Sequence, residues 1–269
     1  MEIKTLGALI SSPDNHDIQL GKLQPNSGYP AEFESSMGIE PLFQNGFPMC
    51  GAYAAAHLIS AMETKETGKV SKISPDSIWK EIKKIDGHPA EDGTDLRSIF
   101  KATSKTGGCD YDLLPIDYGK SLSDITKYDL TKEQADNAFP RALSDKAYGV
   151  GYGIESLKKD IFLYGYGISL MKIGNTWWGK KEVYIPQEID GGHFVMAYGY
   201  DERGVRIIDS ADKYEPFKLI RNEVPIIEYR CAFDCSNLER TIMKEMIPLL
   251  KQTVELYLKL VNNIKVGNQ

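Results

Sequence analysis

The chain has 269 residues, about 30 kDa, with 42% hydrophobic and 26% charged residues and a formal net charge of −6. That size suits one large domain or two small ones, and the composition excludes a disordered, collagen-like or disulfide-scaffold chain. An acidic balance gives no electrostatic footing for nucleic-acid binding, which calls for a basic face.

The N-terminal run MEIKTLGALISS is too acidic, and its apolar stretch too short, for a signal peptide. No segment approaches the roughly 18 apolar residues of a membrane-spanning helix. A cytoplasmic protein with free thiols is therefore expected, without stable membrane insertion.

Residues 1–49 are rich in Pro, Gly, Asn and Ser and read as extended chain and turns. A helix starts at Cys50 in an Ala-rich run and stops at Gly68. A second opens at Ser74-Pro75, a cap followed by Pro at the first helical position, and continues through Ile78, Trp79, Ile82 and Ile85. A third starts at Thr94-Asp95 and ends at Gly107-Gly108.

Residues 110–150 are turn-rich, with a short helix around Thr131–Ala138; Ile154–Tyr164 is again helical. Strands follow at Gly167–Ile173, His193–Tyr200 and Gly204–Asp209. The expected class is α+β, with helices in the first half and antiparallel strands in the second. Beyond residue 235, apolar positions recur at helical spacing from Leu238 through Ile242, Met246, Leu250, Val254 and Leu258. Residues 236–269 are read as an amphipathic helical extension, and 237–264 as a surface for docking on the domain, for an oligomer or partner contact, or for association with a membrane surface.

Four Cys (Cys50, Cys109, Cys231, Cys235) and four His (His16, His57, His88, His193) are the scarce reactive residues. They are too few for a disulfide framework, and the spacing of Cys231 and Cys235 has no second half that would make a zinc site. No metal or cofactor is expected. Position along the chain separates one pair from the rest.

Cys50 stands at a helix start, where the helix dipole favours a thiolate. Gln44, six residues upstream, can donate toward a developing oxyanion beside the Cys50 backbone N–H. His193 opens a strand after Gly191-Gly192, glycines that allow close approach of a ligand backbone. The following strand ends at Asp209, and the turn Asp201–Gly204 returns that carboxylate to His193, where it can orient the imidazole. Together these are the parts of an acyl-transfer site. His57 lies two turns into the first helix and is read as a packed residue, as is Cys109.

The order Gln44, Cys50, His193, Asp209 resembles that of the papain-like (C1) cysteine peptidases. The 143-residue gap from Cys50 to His193 falls within the roughly 130–150 of that family. Ile73–Trp79, Glu91–Arg97, Gly108–Pro115 and Gly191–Asp201 resemble its small bacterial and viral-type members. The resemblance spans about Leu6 to Asp234, and domain boundaries of 1–235 and 236–269 follow from it.

It implies a two-lobed fold, a helical lobe and then an antiparallel barrel-like one, and a peptide or protein substrate. Cys50 would be the nucleophile, His193 the general base and acid, Asp209 the orienting residue and Gln44 the oxyanion donor. Gly93, Thr94 and Gly192 would line the substrate.

Several positions depart from the family pattern. Gly51 replaces the aromatic residue after the nucleophile, and Phe47 the Cys three positions before it. Asp209 replaces Asn, and Ala211 the Trp that shields the His contact, so the shielding of that contact is left open. Only about 29 residues precede Pro30, so an occluding propeptide is not expected. Two other readings fit the same residues: a catalytically weak binding protein on this fold, and a cell-wall peptide amidase or transpeptidase. Trp177 and Trp178 are read either as a substrate-facing loop or as a hydrophobic anchor.

Overall fold

The computed structural model of the chain describes residues 8–11, 18–19, 28–35, 38–87, 92–143 and 149–232. Short strands β1 (Ala8–Leu9), β2 (Ile18–Gln19) and β3 (Phe33–Glu34) come first, consistent with the turn-rich composition of this region. Helix α1 (Cys50–Thr67) is buried all round from Cys50 to Ala61, and Gly68 ends it at φ 70°. Small Ala side chains let this helix sit close inside the molecule, which a bulkier sequence would not permit.

Helix α2 (Pro75–Asp86) starts where Ser74 caps it: the Ser74 side chain accepts from Ser77 N, and Pro75 occupies the first turn. Strand β4 (Thr94–Asp95) runs directly into α3 (Leu96–Thr106), whose cap is Asp95, accepting from Ser98 N at 3.0 Å. The three expected helix starts are thus found within a residue of their sequence signals.

The turn-rich middle holds two small helices, α4 (Leu122–Thr126) and α5 (Lys132–Ala138), each opened by a capping box. The first is only five residues long, too short to show a period in the sequence. After β5 (Gly149–Gly151) comes α6 (Ile154–Tyr164), as expected. Then follow β6 (Gly167–Gly174), β7 (Glu182–Val183), β8 (Ile189–Asp201), β9 (Gly204–Ile208), β10 (Phe217–Arg221) and β11 (Ile226–Cys231).

The main sheet has the order β2-β5-β11-β6-β8-β9-β10-β7, with β3 paired to β8. Its centre is antiparallel; β2·β5 and β10·β7 are parallel. Among the described residues the end strands β2 and β7 do not pair, so the expected barrel-like lobe is an open sheet rather than a closed barrel.

Alternation along β6 and β8 divides the core. Ile168, Leu170, Phe194 and Met196 join the cluster built on α1, α2 and α3. Met171, Ile173, Val195 and Ala197 join the opposite cluster with Leu157 and Ile161 of α6. The period of two along these strands is what lets one sheet carry helices on both faces. It also brings the N-terminus of α1 to the start of β8. Among the described residues no helix is long and apolar enough to cross a membrane. The proposed helical extension 236–269, with Cys235, His16 and His88, lies outside the described residues.

Candidate active site

The first residue of α1 is Cys50, fully buried, and the N-cap residue Met49 makes no side-chain cap bond. The positive end of the helix dipole therefore acts on the thiol without a competing side-chain acceptor. The Phe194 backbone N–H donates to Cys50 Sγ at 3.5 Å, which ties the start of α1 to β8.

His193 precedes that donor in β8 and is fully buried. Its Nε2 pairs with Asp209 Oδ1 at 2.8 Å. Nδ1 is buried without a hydrogen-bond partner of ordinary geometry, and it is the ring nitrogen left for the thiol. Burial works against the imidazolium, but the bonds to Asp209 and Cys50 outweigh it and raise the His193 pKa to about 9. The ring is thus held charged at neutral pH.

Asp209 follows the end of β9. The β8–β9 hairpin pairs Met196 with Ile208, and Asp209 N donates to Pro216 O at 2.8 Å, so the carboxylate is returned to His193 as the turn at Asp201–Gly204 implied. Every carboxylate oxygen is engaged. Oδ1 also accepts from Ala211 N at 2.8 Å, and Oδ2 accepts from Trp177 Nε1 at 2.6 Å.

Trp177 covers the pair that Ala211 leaves open. Ala211 does stand where an aromatic was looked for, yet Trp177 reaches the same pair from the turn after β6. Its ring meets His193 edge-on, with centroids 5.6 Å apart and an interplanar angle of 89°. It is completely buried, whereas Trp178 beside it is exposed. The only signal was the Trp-Trp pair itself, which fitted an anchor and a substrate loop equally; for Trp177 the anchor is what is found.

Gln44 is buried and tied to the residue after Asp209 at two points. Its backbone N donates to Ser210 O at 2.8 Å, and Ser210 Oγ donates to its Oε1 at 2.8 Å. Its Nε2 donates to Phe47 O at 2.9 Å, one of the two protons that amide carries. A turn at Asn45-Gly46, with φ 46° and 84°, folds Gln44 back toward the start of α1. Ser210, unassigned from sequence, is therefore the clamp that sets this loop.

The departure at Gly51 has a steric cause. A Cβ there would lie 2.5 Å from Ile99 Cδ1 and 2.9 Å from Thr94 Cγ2, so the aromatic side chain of the family pattern has no room. His57 is a packed residue, as expected: its Nε2 accepts from Leu42 N at 2.8 Å, and burial, opposed by Asp209, lowers its pKa to about 4. Cys109 and Cys231 are buried free thiols, and burial pushes both up, which makes them unreactive.

The expected substrate wall is not empty. Strand β1 pairs in parallel with β4, Ala8 opposite Thr94 and Leu9 opposite Asp95. On its other side Ala8 O lies 3.0 Å from where a Gly192 Cβ would stand. Thr94 touches Gly51, next to Cys50, and Gly192 precedes His193, so this segment bridges both sides of the thiol–imidazole pair. Ser11 fixes its end, donating through N and Oγ to Glu228 Oε1 at 3.1 and 3.0 Å. This strap comes from the first eleven residues of the chain and lies along the edge expected to line substrate.

No protein-family model matches the sequence, and no curated protein matches it significantly. Solved structures do. Xylellain, a cysteine protease from Xylella fastidiosa, superposes with a TM-score of 0.71 at 17% identity over 86% of this chain and 97% of its own. Procathepsin B S9 from Trypanosoma congolense gives 0.63 at 13% identity, covering 86% of each chain. The Carica candamarcensis cysteine protease CMS1MS2, solved in complex with E-64, gives 0.54 at 14% identity over 76% and 99%. With its helical half packed on an antiparallel-rich sheet, the chain has the papain-like fold of the C1 cysteine peptidases.

Proposed function

We propose that the chain is a cysteine peptidase that cleaves peptide bonds through Cys50. The observation that carries this reading is the fully buried His193–Asp209 pair, 2.8 Å apart, beside a thiol at a helix N-terminus. A charged imidazole at neutral pH is the partner a thiolate nucleophile requires.

In this mechanism the Cys50 thiolate attacks the amide carbonyl carbon. The carbonyl oxygen becomes an oxyanion, stabilised by the start of α1 and the second Nε2 proton of Gln44. His193 gives its proton to the leaving nitrogen as the C–N bond breaks, leaving a thioester on Cys50. Water then adds to the thioester and returns a proton to His193; the C–S bond breaks, releasing a carboxylic acid and restoring thiolate and imidazolium. Asp209 holds the ring and its charge throughout, and Trp177 keeps water from that contact.

The substrate is a peptide or protein segment entering in extended form along Gly93, Thr94 and Gly192. The strap Ala8–Ser11 occupies that edge, so the enzyme is latent until the strap is displaced. Trp177 weighs against the catalytically weak binding-protein reading, because it covers the His193–Asp209 pair in place of the aromatic absent at Ala211.

Peptidase assays on a mixed peptide library test the proposal, with Cys50→Ala as control. Cleavage that disappears in the variant supports it. Cleavage that persists in Cys50→Ala overturns it.

A further inference from the structure

Lys218 lies in β10 in the sequence Phe217-Lys-Leu-Ile-Arg221, and its side chain is fully buried. A buried ammonium is costly unless its protons and its charge are both met. Here each of its three protons has an acceptor: Trp177 O at 3.0 Å, Lys180 O at 3.0 Å and Asp212 Oδ2 at 2.8 Å. The nitrogen also lies 3.9 Å from Asp209 Oδ2, the oxygen that receives the Trp177 indole proton.

Asp212 completes the assembly. It accepts from Gly179 N at 2.6 Å through Oδ2, and from Tyr214 N at 3.1 Å and Glu215 N at 3.3 Å through Oδ1. Lys218 and Asp212 thus hold the turn after β6 at residues 177, 179 and 180, and that turn carries the shield.

We propose that Lys218 is a positioning residue for the peptidase reaction: its ammonium is the counter-charge set against the Asp209 carboxylate beside His193, and its hydrogen bonds fix Trp177 over that pair. The inference rests on the peptidase reading for its kinetic consequences. A neutral Asn at position 209 would need no such counter-charge. An Asp there adds a buried negative charge, with Asp212 adding a second, and Lys218 is the cation placed between them.

The ionisable groups facing this carboxylate come from four elements. They are His57 on α1, His193 on β8, Asp212 on the loop after β9, and Lys218 on β10, with Cys50 of α1 set against His193. Loss of Lys218 leaves Asp209 facing a like charge at Asp212, and an ionised carboxylate becomes less favourable.

The test is a double-mutant cycle of Lys218→Met and Asp209→Asn in the full chain, with two readouts. In kinetics, Lys218→Met is expected to lower kcat/KM about tenfold or more and to move the acidic limb of the pH profile upward. In the Asp209→Asn background the same substitution should cost no more than about twofold. The second readout is the indole N–H resonance of Trp177, which needs no activity. It should titrate at higher pH in Lys218→Met than in the wild type, and lose that titration when Asp209→Asn is added.

Equal kinetic costs in both backgrounds, with an unaltered indole titration, overturn the counter-charge role. If Lys218→Met does not fold, Lys218→Met with Asp212→Asn removes the pair as a unit and carries the same two readouts. A wild-type chain that cleaves no peptide overturns the peptidase reading, and the resonance alone then decides the place of Lys218.

Discussion

Trp177 Nε1 donates to Asp209 Oδ2 at 2.6 Å across 32 residues of sequence, and it is the contact that closes the His193–Asp209 pair against water. The indole belongs to the turn after β6, whereas the carboxylate follows the end of β9. Replacing Trp177 by Phe keeps most of the ring volume and removes the donor. Hydrogen bonds to charged groups contribute about 1.5–3 kcal/mol. Trp177→Phe should lose that much stability in urea unfolding and lower kcat/KM with it; unchanged values of both would refute the shielding role.

The raised pKa of His193 sets a pH window. Its folded value is about 9, against the ordinary 6.5. A group raised on folding stabilises fully below its unfolded value, and that contribution is lost as pH rises through about 9. The alkaline limb of kcat/KM should accordingly fall near pH 9 as the imidazolium is lost. Asp209→Asn removes the charge that favours the imidazolium, so this limb should move down by about 1–3 pH units. A limb that does not move would assign the raised value to another cause.

The strap at Ala8–Ser11 should restrain activity. Deleting residues 1–11 frees Thr94 and Gly192, and kcat/KM on a small peptide is expected to rise about tenfold, the factor that ~1.4 kcal/mol of displaced contact represents. Ala8→Trp, which cannot fit beside Gly192, should do the same in the full chain. Equal or lower activity in both would show that substrate does not use this edge.

Position 51 is constrained by packing rather than by chemistry. Gly51→Trp drives a side chain into Ile99 and Thr94, and overpacking of this kind costs about 1–3 kcal/mol or more. The variant should melt at lower temperature than the wild type, and an undisturbed melting point would contradict the close approach found there.

Much of the site was legible because its signals are local or ordered along the chain. Ser74-Pro75 and Asp95 are helix starts by their own capping chemistry, and Gly68 and Gly107 are stops. The hairpin at Asp201–Gly204 returns the chain toward His193, and Asp209 follows directly on its second strand. Cys50 followed from its place at a helix start.

The rest was set by tertiary placement. Trp177 reaches Asp209 from a distant turn, and no periodicity marks such a contact. Lys218 carries no signal in the sequence, and its place follows only from its three acceptors. Two residues of β1 gain their meaning only from Thr94 and Gly192 on either side, and a strand of that length has no pattern. Gly51 looked like a departure from a family pattern, and the cause lies in Ile99, which is 48 positions away.

The most direct measurement treats the native chain with an epoxysuccinyl peptide and follows intact mass, adduct position and peptidase activity together. The account predicts one adduct, on Cys50, with activity lost in step with its formation while Cys109 and Cys231 stay unmodified. Adducts spread equally over the three thiols, or activity that survives full modification of Cys50, would contradict it.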